Sequence, residues 1–221
     1  EAILKMNDFD AGSLMQKNII YMDYLQNGIT VKYAVKGEER SSVVKLIDYT
    51  DADKNDFYVV NQYTFVENGN NRRPDFILFI NGLPLVLMEL ISPSKDEVGA
   101  ENAYNQIRNY MKDIPSMFYY NAICVISDLS TNKAGTITSG IDRFMEWKTK
   151  DGDYENTAYA QFDTFYEGMF QKERLLDILK NFILFSGDGQ KQFKILAGYH
   201  QYFAVRKAIE KAKIATKSDG K

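Results

Sequence analysis

The segment from Arg72 to Ile91 limits the fold more than any other. Two almost unbroken apolar runs, Phe76-Ile77-Leu78-Phe79-Ile80 and Leu85-Val86-Leu87-Met88-Glu89-Leu90-Ile91, are separated only by Asn81-Gly82-Leu83-Pro84. Asn-Gly between apolar runs is the strongest short-range signal of a β-hairpin. Strands that are apolar without alternation are buried on both faces, so this hairpin belongs at the centre of a covered sheet. It carries two acids at neighbouring strand positions, Asp75 just before the first run and Glu89 near the end of the second.

The first 27 residues read as helical, with Leu14, Ile19, Tyr21, Met22 and Leu25 at helical spacing and Asn27-Gly28 as the stop. Then the period changes to two. Ile29–Val35, Val43–Tyr49 and Phe57–Val66 read as three antiparallel strands leading into the hairpin. Pro93 ends the Glu89 strand, Val98–Met111 reads as a helix, and Ala122–Ser127 as another buried strand. Strand, helix, strand implies a crossover and a parallel pair. Thr136–Ser139 and Phe144–Lys148 read as short strands, and Lys150-Asp151-Gly152-Asp153 as a turn at a domain edge. Beyond it, Ala160–Phe170 and Lys172–Phe185 read as helices, Phe193–Leu196 as a brief strand and Tyr199–Ala215 as a helix. The expected organisation is an α/β domain over 1–150, with a mixed central sheet flanked by helices, and a helical connector over 151–221.

Composition narrows the classes. A chain of 221 residues, 45% apolar and 26% charged, is long enough for a sizeable core and fits no disordered or fibrous class. No apolar run approaches the roughly 20 residues that span a bilayer, and the start lacks a signal pattern, so a cytoplasmic protein without membrane contact is expected. Cys124 lies alone in an apolar run and the chain has one His, which excludes a disulfide framework or a zinc cluster and makes Cys124 a buried structural thiol. A net charge of −3 gives no overall attraction to nucleic acid, so any DNA contact must be local.

A carboxylate enclosed in a strand needs a partner or is forced neutral. Asp75 and Glu89 have two ways out. They can share a divalent cation, since Mg²⁺ prefers oxygen ligands and usually takes one or two carboxylates, or each can pair with a nearby arginine, Arg72 or Arg73. Residues alone leave these alternatives level. Gln106 and Tyr110, four apart, lie on one helix face and offer donors for a phosphate or a water, or serve as a structural amide and a core tyrosine. Arg108 and Lys112 beside them are candidates for a DNA backbone or for a solvated face.

Arg73-Pro74-Asp75, the Asn81-Gly82-Leu83-Pro84 turn, Glu89-Leu90 and Gln106-Ile107-Arg108-Asn109-Tyr110 together resemble the nuclease domain of the R subunit of type I restriction-modification enzymes, a member of the PD-(D/E)xK superfamily. Asn55-Asp56-Phe57, Val60-Asn61-Gln62 and Tyr199-His200-Gln201-Tyr202-Phe203-Ala204-Val205 also resemble stretches of that subunit, so the similarity covers nearly the whole chain.

The resemblance implies Asp75 and Glu89 as Mg²⁺ ligands and Gln106 with Tyr110 as an accessory pair. It implies that Gln201 recognises the adenine of ATP in the complete subunit, whose motor follows the last helix. No GxxxxGK[ST] sequence occurs here, so the chain is not expected to hydrolyse ATP by itself. The implied partners are double-stranded DNA and the methyltransferase and specificity subunits, and the chain reads as a piece of something larger. One position departs from the pattern. Members usually carry Lys two residues after the Glu, where this chain has Ile91, and Lys95 is the residue nearby that could substitute. The motif's upstream acid has no clear counterpart, Glu1 lying too near the start. A rival reading follows from Ile91: a catalytically inactive DNA-binding or subunit-docking domain.

Overall fold

A computed structural model describes residues 1–9, 12–91, 99–128, 131–153, 162–189 and 191–216. Helix α1 (Ala2–Asn7) precedes α2 (Leu14–Asn27). Ser13 opens α2 with a capping box: its hydroxyl accepts from the Gln16 N–H while the Gln16 side chain accepts from the Ser13 N–H. Gly28 closes α2 at φ +85°, where a Cβ would lie 2.6 Å from Val43 Cγ1, so a side chain there has neither the dihedral nor the room.

Strands β1 (Ile29–Val35) and β2 (Glu38–Val44) form a ribbon of their own. The expected strand over 43–49 is therefore displaced towards the N-terminus. Lys36 and Gly37 both have positive φ, as a type I′ turn requires, so β2 starts at once at Glu38. It is exposed throughout and has no apolar face with which to join the main sheet. Of the three strands expected ahead of the hairpin, only β3 (Phe57–Asn61) joins that sheet. The rest of the run expected to continue to Val66 separates as β4 (Phe65–Glu67), which pairs with β5 (Asn70–Arg72) across a second positive-φ pair, Asn68-Gly69.

The hairpin at the centre forms as the sequence requires. β6 (Phe76–Ile80) and β7 (Leu83–Leu90) pair antiparallel across Asn81-Gly82, both again at positive φ. The register runs Phe76↔Met88, Ile77↔Leu87, Leu78↔Val86, then jumps to Phe79↔Pro84, leaving Leu85 as an extra residue on β7. Two helices follow, α3 (Gly99–Asp113) and α4 (Pro115–Tyr119), and return the chain to β8 (Ile123–Ser127), which pairs parallel to β7 as the crossover pattern predicts. Antiparallel β9 (Asn132–Gly135) completes the order β3-β6-β7-β8-β9. Of the strands expected at 136–139 and 144–148, the first is a turn and the second an irregular segment joined to β9 by a single bridge, Ala134 to Met145.

Helices α5 (Phe162–Met169) and α6 (Lys172–Asn181) follow, then a hairpin of β10 (Ile183–Ser186) and β11 (Phe193–Leu196), then α7 (Tyr199–Ala215). The helix expected to reach Phe185 stops at Asn181, because Ile183–Ser186 pairs with β11 instead. The start of the helix expected at Ala160, and Lys95, lie outside the described residues.

Strand alternation explains the continuous apolar runs. On β8, Ile123 and Val125 pack with Tyr21, Met22 and Leu25 of α2 and with Phe165, Leu175 and Leu179 of α5 and α6. Cys124 and Ile126 face the other way, towards Ala103 and Ile107 of α3 and Phe118 of α4. Every residue of β8 is therefore buried, in a helix–sheet–helix sandwich. A buried polar network reaches from the sheet to β11: Lys194 Nζ donates to Asn18 Oδ1 at 3.0 Å and to the Asn121 carbonyl at 2.6 Å, and burial pushes its pKa down to about 7.

Replacing Gly28 by Ala is expected to cost about 2 kcal/mol, more than the usual penalty for Ala at positive φ because of the Val43 contact. A urea denaturation midpoint unchanged from the native chain would contradict this.

Candidate active site

Asp75 precedes β6 directly, and Glu89 is the next-to-last residue of β7. They stand beside the Phe76–Met88 cross-strand pair, so the hairpin alone brings them together. The bulge takes up Leu85 and keeps the pairing with β6, so Leu87, Glu89 and Ile91 face α3, while Val86 and Met88 face α2, α5 and α6. Glu89 thus points at the helix that carries Tyr110.

The surroundings of Glu89 are unusual for a carboxylate. It is 8% exposed. Its Oε1 accepts from the Tyr110 hydroxyl at 3.2 Å, and its Oε2 is buried without a partner. Burial, then the charge of Asp75, pushes its pKa up to about 7. Tyr110 is itself pushed up to about 12, chiefly by burial, and so remains a donor. Gln106, one turn earlier on α3 and exposed, is within hydrogen-bonding reach of the Tyr110 hydroxyl. Asp75 is partly exposed, and its Oδ2 accepts from the Leu90 backbone N–H at 2.9 Å. Nothing in the sequence pointed to that backbone donor, since any residue supplies one.

The arginine alternative fares poorly. Arg72 is committed elsewhere, its Nε donating to Asp113 Oδ2 at 2.7 Å, and among the described residues no ion pair reaches Asp75 or Glu89. A buried carboxylate oxygen without a donor costs on the order of 1–3 kcal/mol or more, and a cation would relieve that cost. Carboxylate oxygens of this kind are donors suited to a hard divalent cation.

Ile91, two residues after Glu89, lies on the same side of the sheet. It is partly buried against the α3 cluster, and its backbone N–H donates to the Ser127 carbonyl at 2.8 Å. Its side chain carries no donor and no charge. Arg108 Nη1 donates to the Ile137 carbonyl at 2.8 Å, which leaves that guanidinium only partly available for a phosphate. Glu1 is exposed and pairs with Lys5. Gln201 belongs to a different region: in the first turn of α7, its Oε1 accepts from the Gly198 N–H at 2.9 Å.

Glu89 gives the metal-free chain a defined pH dependence. The unfolded chain ionises this carboxyl near its ordinary value of about 4.3, and the folded chain only near 7. Between these values the folded state holds the extra proton, so stability is full below about 4.3 and falls as pH rises to 7. The expected loss is about 3 kcal/mol across that window, and Glu89→Gln is expected to remove it. Denaturation midpoints of both proteins from pH 4 to 8 measure this; parallel curves would contradict it.

The sequence profile described as Type I restriction enzyme R protein N terminus matches residues 1–143. The endonuclease subunit of the type I restriction enzyme HindI from Haemophilus influenzae is 35% identical over 217 residues, covering 96% of this chain and 20% of that protein. A Methanocaldococcus jannaschii protein named for the MjaIXP type I restriction enzyme endonuclease subunit is 33% identical over 226 residues, covering 93% of this chain and 21% of its own length. The corresponding EcoprrI subunit of Escherichia coli is 29% identical over 185 residues, covering 80% of this chain and 56% of that protein. The chain thus spans about a fifth of the length of the first two relatives. With a mixed central sheet, a carboxylate pair at its hairpin and this profile match, the chain belongs to the type I restriction enzyme R protein family.

Proposed function

We propose that this chain is a PD-(D/E)xK-type nuclease domain that hydrolyses phosphodiester bonds of foreign double-stranded DNA within a type I restriction complex. The observation that carries this reading is the Glu89 carboxylate, buried beside Asp75 with one oxygen bonded to Tyr110 and the other unmatched. Asp75 and Glu89 would hold Mg²⁺. When bound, the ion supplies positive charge to the scissile phosphate and acidifies water for attack. Tyr110 holds Glu89 in place by its hydroxyl, and Gln106, exposed at the edge of the site, is positioned to donate to a phosphate or an attacking water. The partly exposed side of Asp75 is the side open to DNA.

The partners in this reading are duplex DNA and the methyltransferase and specificity subunits, with sequence recognition residing outside this chain. ATP, read by Gln201, belongs to the full-length subunit, whose translocation would bring DNA to this site in the cytoplasm. In the described residues no helix is long and apolar enough to cross a membrane.

Ile91 favours a second reading. Its side chain can neither take a proton from water nor offset charge on a phosphate, and loss of one such preorganised contact typically lowers the rate by about 10²-fold or more. A domain kept folded for DNA binding or subunit docking would tolerate this residue.

Cleavage of supercoiled plasmid in Mg²⁺ and Mn²⁺, by a complete R subunit carrying this chain together with its partner subunits and ATP, separates the readings. Ile91→Lys is expected to raise cleavage by about 10²-fold, and adding Asp75→Asn to abolish it. Equal cleavage with and without I91K would show that another group fills the lysine's role. No cleavage by either protein, while DNA translocation continues, would favour the docking domain.

A further inference from the structure

The β4–β5 hairpin has a place in the fold that none of the site residues explains. Its strands are three residues each, too short to hold a position by pairing alone. Four side-chain hydrogen bonds fasten it to one point, the junction of α3 and α4. Glu67 Oε2 accepts from the Ser116 N–H at 3.0 Å and from the Ser116 hydroxyl at 2.7 Å. Asn70 Nδ2 donates to the Asp113 carbonyl at 3.2 Å. Arg72 Nε donates to the Asp113 carboxylate at 2.7 Å.

The position of this junction gives the contact its meaning. Arg72 lies three residues before Asp75, with only Arg73 and the buried Pro74 between them, and Pro fixes one of the intervening dihedrals. Asp113 lies three residues after Tyr110, on the last turn of the same helix, where the Ile114 N–H still bonds the Tyr110 carbonyl at 2.8 Å. The Arg72–Asp113 pair therefore ties the segment bearing Asp75 to the helix whose tyrosine holds Glu89. Asp75 sits just outside the paired register of β6, where its carbonyl accepts from the Gln62 N–H at 2.9 Å and its Oδ2 from the Leu90 N–H; these bonds tie it to the strands, and the Arg72–Asp113 pair ties its segment to α3.

We infer that Arg72 and Asp113 are positioning residues, a latch that sets the separation of Asp75 from the Glu89–Tyr110 pair and so prepares the carboxylates for a divalent cation. The inference rests on the metal-site reading above, and groups that orient metal ligands typically alter affinity by 10- to 100-fold when removed. The pair is partly exposed, with side chains 42% and 26% accessible, so its contribution to global stability is small.

Two readouts on the full 221-residue chain test this. Mn²⁺ titration is expected to show about 10-fold weaker binding in Asp113→Ala and Arg72→Ala, with near-native affinity restored in the charge-swapped R72D/D113R double variant. Amide hydrogen exchange is expected to accelerate about 10-fold at Leu90, whose N–H bonds Asp75, and to remain within about twofold at Ile91, whose N–H bonds Ser127. Unchanged Mn²⁺ affinity together with unchanged Leu90 exchange in D113A would overturn the latch. Uniform acceleration at both amides would also overturn it, reducing the pair to general stabilisation. If the native chain binds Mn²⁺ no better than Asp75→Asn while D113A still loosens Leu90 alone, the latch stands and the metal reading falls.

Discussion

Glu89 is a carboxylate with one oxygen hydrogen-bonded and the other unmatched, and the rest of the site is arranged around that shortfall. Its Oε2 is buried and meets no donor among the described residues. Tyr110 answers one oxygen, and its own raised pKa keeps it protonated over the whole physiological range. Asp75, placed by the same hairpin, adds a second negative charge rather than relieving the first. A fold that sets a buried carboxyl beside a partly exposed carboxylate, with no ion pair to either among the described residues, carries an electrostatic cost that a bound cation would offset.

The two helical layers divide the labour. The layer of α2, α5 and α6 packs apolar side chains on one side of the sheet. The layer of α3 and α4 packs Ala103, Ile107 and Phe118 against the sheet, yet from the same helix presents Tyr110 and Gln106. Since α3 is itself held by core packing, the hydroxyl that meets Glu89 is fixed by burial.

The central hairpin and both acids were legible because Asn-Gly and unbroken apolar strands have few structural solutions, and the parallel β7–β8 pair followed from the helix between them. The peripheral ribbons were not. Lys36-Gly37 and Asn68-Gly69 adopt the same two-residue turn as Asn81-Gly82, but they join polar, exposed strands whose alternation carries little signal. Thr136–Ser139 has a strand-like composition yet is spent on side-chain bonds to β11, through Thr136 and Thr138 to the backbone of Lys194. In the site, Asp75, Glu89 and the Gln106–Tyr110 spacing could be read in advance. The commitment of Arg72 to Asp113 could not, because it depends on a contact between residues 41 apart.

The extra residue at Leu85 has a consequence for the length of this chain. Side chains on a strand obey a rule of odd and even, and the bulge adds one to the count between the Asn81-Gly82 turn and Glu89. Deleting Leu85 would leave an unbroken ladder, Phe79↔Pro84 followed by Leu78↔Val86, with Glu89 still on the α3 side; flattening the bulge with the residue retained would instead slip the pairing by one, turning Glu89 towards α2 and Met88 towards Tyr110. Between the turn and the acid, then, the chain carries one residue more than an unbroken ladder uses, and the bulge takes it up before the strand reaches Glu89.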